Sequence, residues 1–180
     1  MSDAAAVVAH TRRWIERAVI GLDLCPFASR PYEAGTIGFV VSSARDADEL
    51  VRDLETEVRR LAASQPTELE TTLLIHPHAL EDFLEYNDFL DVADALLEAL
   101  DLAGDIQIAS FHPAYRFADA APDAIENHTN RSPYPMLHLL RCESVDRAIA
   151  AFGDTAKIYE ANIATLRRLG GAGWRALDVD

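Results

Sequence analysis

Apolar residues recur along this chain at two periods, and the alternation between those periods lays out the fold. From residue 4 to 22, Val8, Thr11, Ile15, Ala18, Val19 and Leu22 recur at helical spacing, with Trp14 beside them. That is the spacing of one buried helix face. The pattern stops at Cys25-Pro26. Between 36 and 42 the chain carries Ile37, Phe39, Val40 and Val41, a short β-branched and aromatic run that reads as a strand. Helical spacing resumes after Ser43 or Asp46, either of which suits an N-cap. It runs to about Ala63 through Leu50, Val51, Leu54, Val58 and Leu61, and Gln65-Pro66 ends it.

The two periods then repeat. A second strand is expected over 70–76 and a helical region over 79–102, with a break at Tyr86-Asn87-Asp88, where Asn87 or Asp88 would cap a second segment. Gly104 suits the stop before a third strand over 105–112. A fourth strand is expected over 136–141. Helices are then expected from Ser144 to Phe152 and from Asp154 to Leu169, the latter stopped by Gly170-Gly171. This order predicts a single α/β domain, with α+β as the alternative. Its sheet is a small mixed one of about four strands with flanking helices, its core spans 4–170, and a tail occupies 171–180. There is no internal repeat.

Three histidines fall at informative places in this layout. His76 and His112 each close an apolar run and are each followed by proline, which has no N–H for a strand ladder. Both are therefore placed at strand ends, where open α/β sheets bind ligands. They share one sheet edge if the second and third strands run parallel. His138 sits inside the fourth apolar run, between Leu137 and Leu139. Imidazole is a common ligand of zinc, iron, nickel and manganese, so His76, His112 and His138 form a candidate metal set, and a divalent transition metal is the candidate cofactor. Their separations of 36 and 26 residues make no compact motif. The plain alternative is that each imidazole bonds a nearby carbonyl.

The 23 residues from Pro113 to Pro135 fit neither period, and irregular segments of that length are often functional. Arg131 offers a planar fork for a carboxylate or phosphate. Asn130, Tyr134 and Tyr115 from this segment, with Ser110 and Arg141 from the neighbouring strands, are candidate substrate contacts. The same donors would equally serve to lock the segment by bonding its backbone. Cys25, ahead of Pro26-Phe27, is a candidate reactive thiol; the helix before it and the lack of a resolving cysteine two positions on favour a small buried residue instead.

Charge narrows the partners. With 16 basic and 30 acidic residues the formal charge is −14, which repels phosphate backbones and anionic lipid. Nucleic acid and membrane are therefore not expected partners; a small-molecule substrate with an anionic group is. Two cysteines make no disulfide framework, and a cytoplasmic protein with reduced thiols is expected. No phosphate-cradling glycine loop and no Gly-x-Ser-x-Gly elbow occur.

Several strings carry a resemblance. They are Cys25-Pro26-Phe27-Ala28, Thr71-Thr72-Leu73-Leu74-Ile75-His76-Pro77 and Tyr86-Asn87-Asp88-Phe89-Leu90. Further along come Gln107-Ile108-Ala109-Ser110-Phe111-His112-Pro113, Thr129-Asn130-Arg131-Ser132-Pro133-Tyr134-Pro135 and His138-Leu139-Leu140-Arg141. On these strings the chain resembles the bacterial domain of unknown function 1415 family over nearly its whole length. The resemblance implies no activity. It does imply that His76, His112 and His138 belong to family motifs, while His10, His78 and His128 lie outside them. The chain departs from the family pattern after His-Leu-Leu-Arg, where Cys142 stands in place of an acidic residue and Glu143 follows.

The expectation is a small-molecule enzyme with a polar pocket at one sheet edge, a metal-dependent hydrolase or oxidoreductase if the histidines hold a metal. His76 and His112 form its floor and 113–135 its lid. His112 acts as ligand or general acid/base, and Arg131 orients an anionic group. A non-catalytic binding or adaptor domain and thiol chemistry at Cys25 are the alternatives.

Overall fold

A computed structural model describes residues 3–152 and 155–179; the expected helix start at Asp154 lies outside them. The chain opens with α1 (Asp3–Trp14), which passes directly into a π-helical stretch, Ile15–Ile20. Then come α2 (Ser29–Ala34), β1 (Ile37–Val41), α3 (Ala47–Ala63), β2 (Thr71–Ile75), α4 (Phe83–Ala99) and β3 (Ile106–Phe111). A 3-10 turn (Ile125–Thr129), β4 (Met136–Arg141), α5 (Cys142–Phe152) and α6 (Thr155–Ala176) complete it.

Local chemistry sets two of the main boundaries. Asp46 accepts the Glu49 N–H at 2.8 Å and starts α3. Asp82 accepts from Leu84 and Glu85 at 2.8 and 3.1 Å and starts α4. Each carboxylate satisfies N–H groups that have no partner inside the helix.

The four strands lie in the order β1-β2-β4-β3. β1 and β2 are parallel, and β4 is antiparallel to both β2 and β3. β2 and β3 therefore run the same way with β4 between them, and the ends of both, His76 and His112, reach one edge of the sheet. The mixed α/β sheet expected from the sequence is present, and so is the condition for gathering those two histidines.

Side chains alternate across the strands, which gives the sheet two faces. Leu74, Leu137, Leu139 and Ile106 pack against Leu50, Leu54, Val58 and Leu61 of α3 and Tyr86, Phe89, Ala93 and Leu97 of α4. Leu73, Ile75 and Met136 pack on the other face against Val7, Trp14, Ile15 and Ala18, joined by Leu166 and Trp174 of α6.

Three expectations need correction. The break at Tyr86-Asn87-Asp88 does not occur, because α4 starts at Asp82 and Tyr86 and Phe89 lie one turn apart on its buried stripe. Asp88 caps nothing and is exposed. α2, six residues long with Pro31 inside it and no buried side chain, is an element that apolar spacing does not announce. α6 does not end at Leu169: Gly170 takes a left-handed, non-helical conformation (φ 64°, ψ 171°), and helix resumes to Ala176. The stretch beyond Gly171 is consequently no loose tail, since Trp174 and Val179 are core residues.

Candidate functional site

His76 follows β2 on the α4 side of the sheet and is fully buried. Its Nδ1 lies 2.9 Å from the Ala79 carbonyl. A carbonyl only accepts, so Nδ1 carries the proton, and Nε2 is left as a buried lone pair with no partner. Burial lowers the ring to a pKa of about 4, so it is neutral at pH 7.

His112 occupies the matching position after β3. The Ala114 N–H donates to its Nδ1 at 3.0 Å, so the proton sits on Nε2, which donates to the Leu80 carbonyl at 3.2 Å. Burial lowers this pKa too. Tyr86 reaches between the two rings from α4. It stacks on His76 with centroids 5.8 Å apart and tilts against His112 at 5.0 Å. Its hydroxyl donates to the Met136 carbonyl at 2.8 Å and accepts the Phe111 N–H at 3.0 Å, bridging β4 and β3 where their pairing ends.

The short connection from β2 to α4 crosses this cluster. His76 and His112 hold its consecutive carbonyls, Ala79 and Leu80. Leu80 has φ 55°, a left-handed conformation that a branched side chain rarely takes and that must be held by its surroundings.

Outside the connection lies an open cleft of about 320 Å³. One wall is Asp82, Phe83 and Leu84 at the start of α4. The other is Ala114, Arg116, Pro122 and Arg131. Phe83 separates the cleft from the buried cluster, with its ring 5.4 Å from both His112 and Tyr115. Leu84 is 62% exposed at the rim. Arg116 is exposed, and no described residue hydrogen-bonds or ion-pairs with it.

The 113–135 segment is braced from within. Arg131 donates from Nε to the Tyr115 carbonyl at 3.1 Å and from a terminal nitrogen to the Pro122 carbonyl at 2.8 Å. Asn130 donates to the Ser110 carbonyl at 3.0 Å, and its own carbonyl accepts the His112 N–H at 3.2 Å. Buried Asn127 accepts from the Phe117 N–H and donates to the Ala121 carbonyl. Arg131 and Tyr115 thus lie at or beside the cleft, and Ser110 and Asn130 stand behind it. Tyr134 points away, its hydroxyl 3.2 Å from His10 Nδ1. Arg141 is at the far end of β4, donating to the Leu61, Ser64 and Leu69 carbonyls.

His138 does not join the other histidines. It stands in mid-strand opposite Leu73 and Ala109, on the α1 face, with Nε2 2.7 Å from the Thr71 hydroxyl. That hydroxyl gives its one proton to the Leu139 carbonyl, so His138 Nε2 is the donor. Burial lowers its pKa to about 4. The expected set of His76, His112 and His138 is therefore split between two faces, and both nitrogens of His112 are already committed. Among the described residues no group of three His, Cys, Asp or Glu side chains is placed to hold a metal ion. The thiol expectation also loses support, because burial raises the Cys25 pKa and favours the unreactive thiol.

Sequence reasoning passed over Tyr86 as part of the site. The signal was present, since Tyr86, Phe89, Ala93 and Leu97 fall at helical spacing and point the phenol inward. Leu80 carried no signal at all.

No curated protein and no solved structure matches the chain, and no helix among the described residues is long and apolar enough to cross a membrane. A family model described as "Protein of unknown function (DUF1415)" matches residues 6–176, nearly the whole chain, and the chain therefore belongs to that family.

Proposed function

We propose that this protein binds a small molecule with an anionic group and an apolar portion in the cleft between the start of α4 and the 113–131 segment. The carrying observation is Arg116. In a chain of net charge −14, an arginine with no partner among the described residues stands beside an exposed leucine and a phenylalanine ring. Such a combination suits a ligand that is charged at one end and apolar at the other. Arg131 shapes the same wall but spends two donors on the backbone. His112 supplies no vacant nitrogen, so the reading is one of binding rather than of acid–base chemistry by that ring.

Titrating ¹⁵N-labelled protein with phenyl phosphate and with benzoate tests this. Saturable shifts are expected at Leu84, Ala114 and Arg116, and they are expected to vanish in Arg116→Ala. Absence of saturation with both probes at millimolar concentration overturns the reading.

The second reading is a small-molecule enzyme using His76. One observation favours it: the bare, buried Nε2 lone pair, oriented by the Nδ1–H bond to Ala79. It requires the 77–82 connection to move aside, because His76 is fully buried. Faster alkylation of His76 in the presence of ligand would support it, and complete protection under all conditions would remove it.

A further inference from the structure

We propose that His112 is a positioning residue that clamps the two walls of the cleft to each other, an inference that rests on the cleft being the ligand site. The argument is geometric. The connection leading into one wall passes through Leu80, whose carbonyl accepts a hydrogen bond from His112 Nε2 at 3.2 Å. The other begins at Ala114, whose N–H is held by Nδ1 of the same ring at 3.0 Å. A single planar ring thus spans from the β2–α4 connection to the segment after β3, and it sits behind Phe83, the residue that lines the cleft.

The ring cannot perform this task alone at Leu80. A left-handed leucine relaxes if nothing holds it. His76 holds the preceding carbonyl from the other side, so two imidazoles fix consecutive peptide groups of one strained turn. Asp82, the N-cap of α4, follows two residues later, which makes the entry angle of α4 depend on that turn. The groups around the His112 ring are Tyr86 and Phe83 from α4, His76 from the end of β2, the Glu81 backbone next to Leu80 and Asp82 at the cap. Glu81 belongs to the same turn as Leu80, and none of the others ties that turn to Ala114. Removing one half of the clamp should therefore loosen both walls, although each variant spares the other contact.

Two variants separate the halves. In His112→Asn the shorter side chain still accepts the N–H two residues on, as asparagine does in Asx turns, but it cannot reach Leu80. In His112→Gln the amide reaches toward Leu80 and loses Ala114. Native-state hydrogen exchange at Ala114, and at Leu84 and Glu85 on the opposite wall, reads the result without any ligand. Core amides of α3, at Leu54 and Val58, serve as the reference.

The clamp predicts a crossed effect. His112→Asn should speed exchange at Ala114, and His112→Gln should speed it at Leu84 and Glu85, each about ten-fold, with the α3 amides unchanged. Phenyl phosphate affinity should fall about ten-fold in both. If each variant disturbs only the wall whose bond it lost, or if the α3 amides accelerate equally, the clamp is overturned. Should the glutamine variant fail to fold, exchange at Ala114 in His112→Asn decides alone. If the wild type binds neither probe, the cleft reading falls while the exchange data still decide the clamp.

Discussion

The two ends of the central strand solve one problem in different ways. Where β4 ends, Arg141 gathers the carbonyls of Leu61, Ser64 and Leu69 and so closes the C-terminus of α3 against the sheet. Where β4 begins, neutral imidazoles and a phenol gather the carbonyls of Ala79, Leu80 and Met136. At the Arg141 end the cation is consumed by backbone. At the histidine end uncharged rings brace the β2–α4 connection, Arg131 is spent on the backbone of the 113–135 segment, and a second cation, Arg116, is left facing the cleft. Polar groups in a folded chain are first spent on buried backbone. What marks a binding site is the group left over, not the group most deeply placed.

Acidification should separate the ends most sharply. His76 falls from the unfolded value near 6.5 to about 4 in the fold. Between those values the unfolded chain takes up a proton that the native ring refuses, so stability is full above pH 6.5 and declines as pH falls toward 4. His76 accounts for a loss on the order of 3 kcal/mol, and buried His138, lowered to about 4 as well, adds to the total. Denaturant midpoints measured from pH 7 to pH 4 check this, and the slope should flatten in His76→Gln.

Arg141→Ala should cost about 2–3 kcal/mol, because a charged donor is removed from several carbonyls at once. Its loss should be the same at pH 7 and pH 5, and it should leave phenyl phosphate binding intact. A binding defect in this variant would erase the distinction between the ends. Tyr86→Phe should cost about 2 kcal/mol, since the Phe111 N–H and the Met136 carbonyl lose their shared partner while ring packing is kept. Urea unfolding measures it. Arg116→Ala should change stability by no more than about 0.5 kcal/mol, as exposed side chains without partners do. It should nonetheless abolish the probe shifts, and thermal melts beside the titration would reveal any hidden structural role.

Much of the fold could be read from local pattern. β1 to β4 lie within a residue or so of their expected positions, because each is a dense apolar run bounded by proline, glycine or polar residues. The buried stripe of α3 reads off its helical spacing, with Leu50, Leu54, Val58 and Leu61 inside. In α1 the spacing was right and the register less so: Val7 and Trp14 are buried, and Val8 only in part. The site was less legible. His76 and His112 were placed at one edge by the prolines that follow them. The register of β4, which sets His138 opposite Leu73 and Ala109 and so on the other face, depends on a long connection whose path no local signal encodes. Arg131 and Asn130 looked like ligand contacts because the donors that brace a loop are also those that hold a substrate.

The sequence by itself determined the elements, their order and the two histidines at strand ends, because periodicity and the missing N–H of proline act over a few residues. Tertiary structure decided the rest: which imidazole nitrogens are spent, that His138 faces the other side of the sheet, that Trp174 returns to the core, and that Leu80 is held in a left-handed conformation. Those outcomes depend on partners brought together from distant parts of the chain. His112 alone is tied to residues 80 and 114, one 32 positions away and the other only 2.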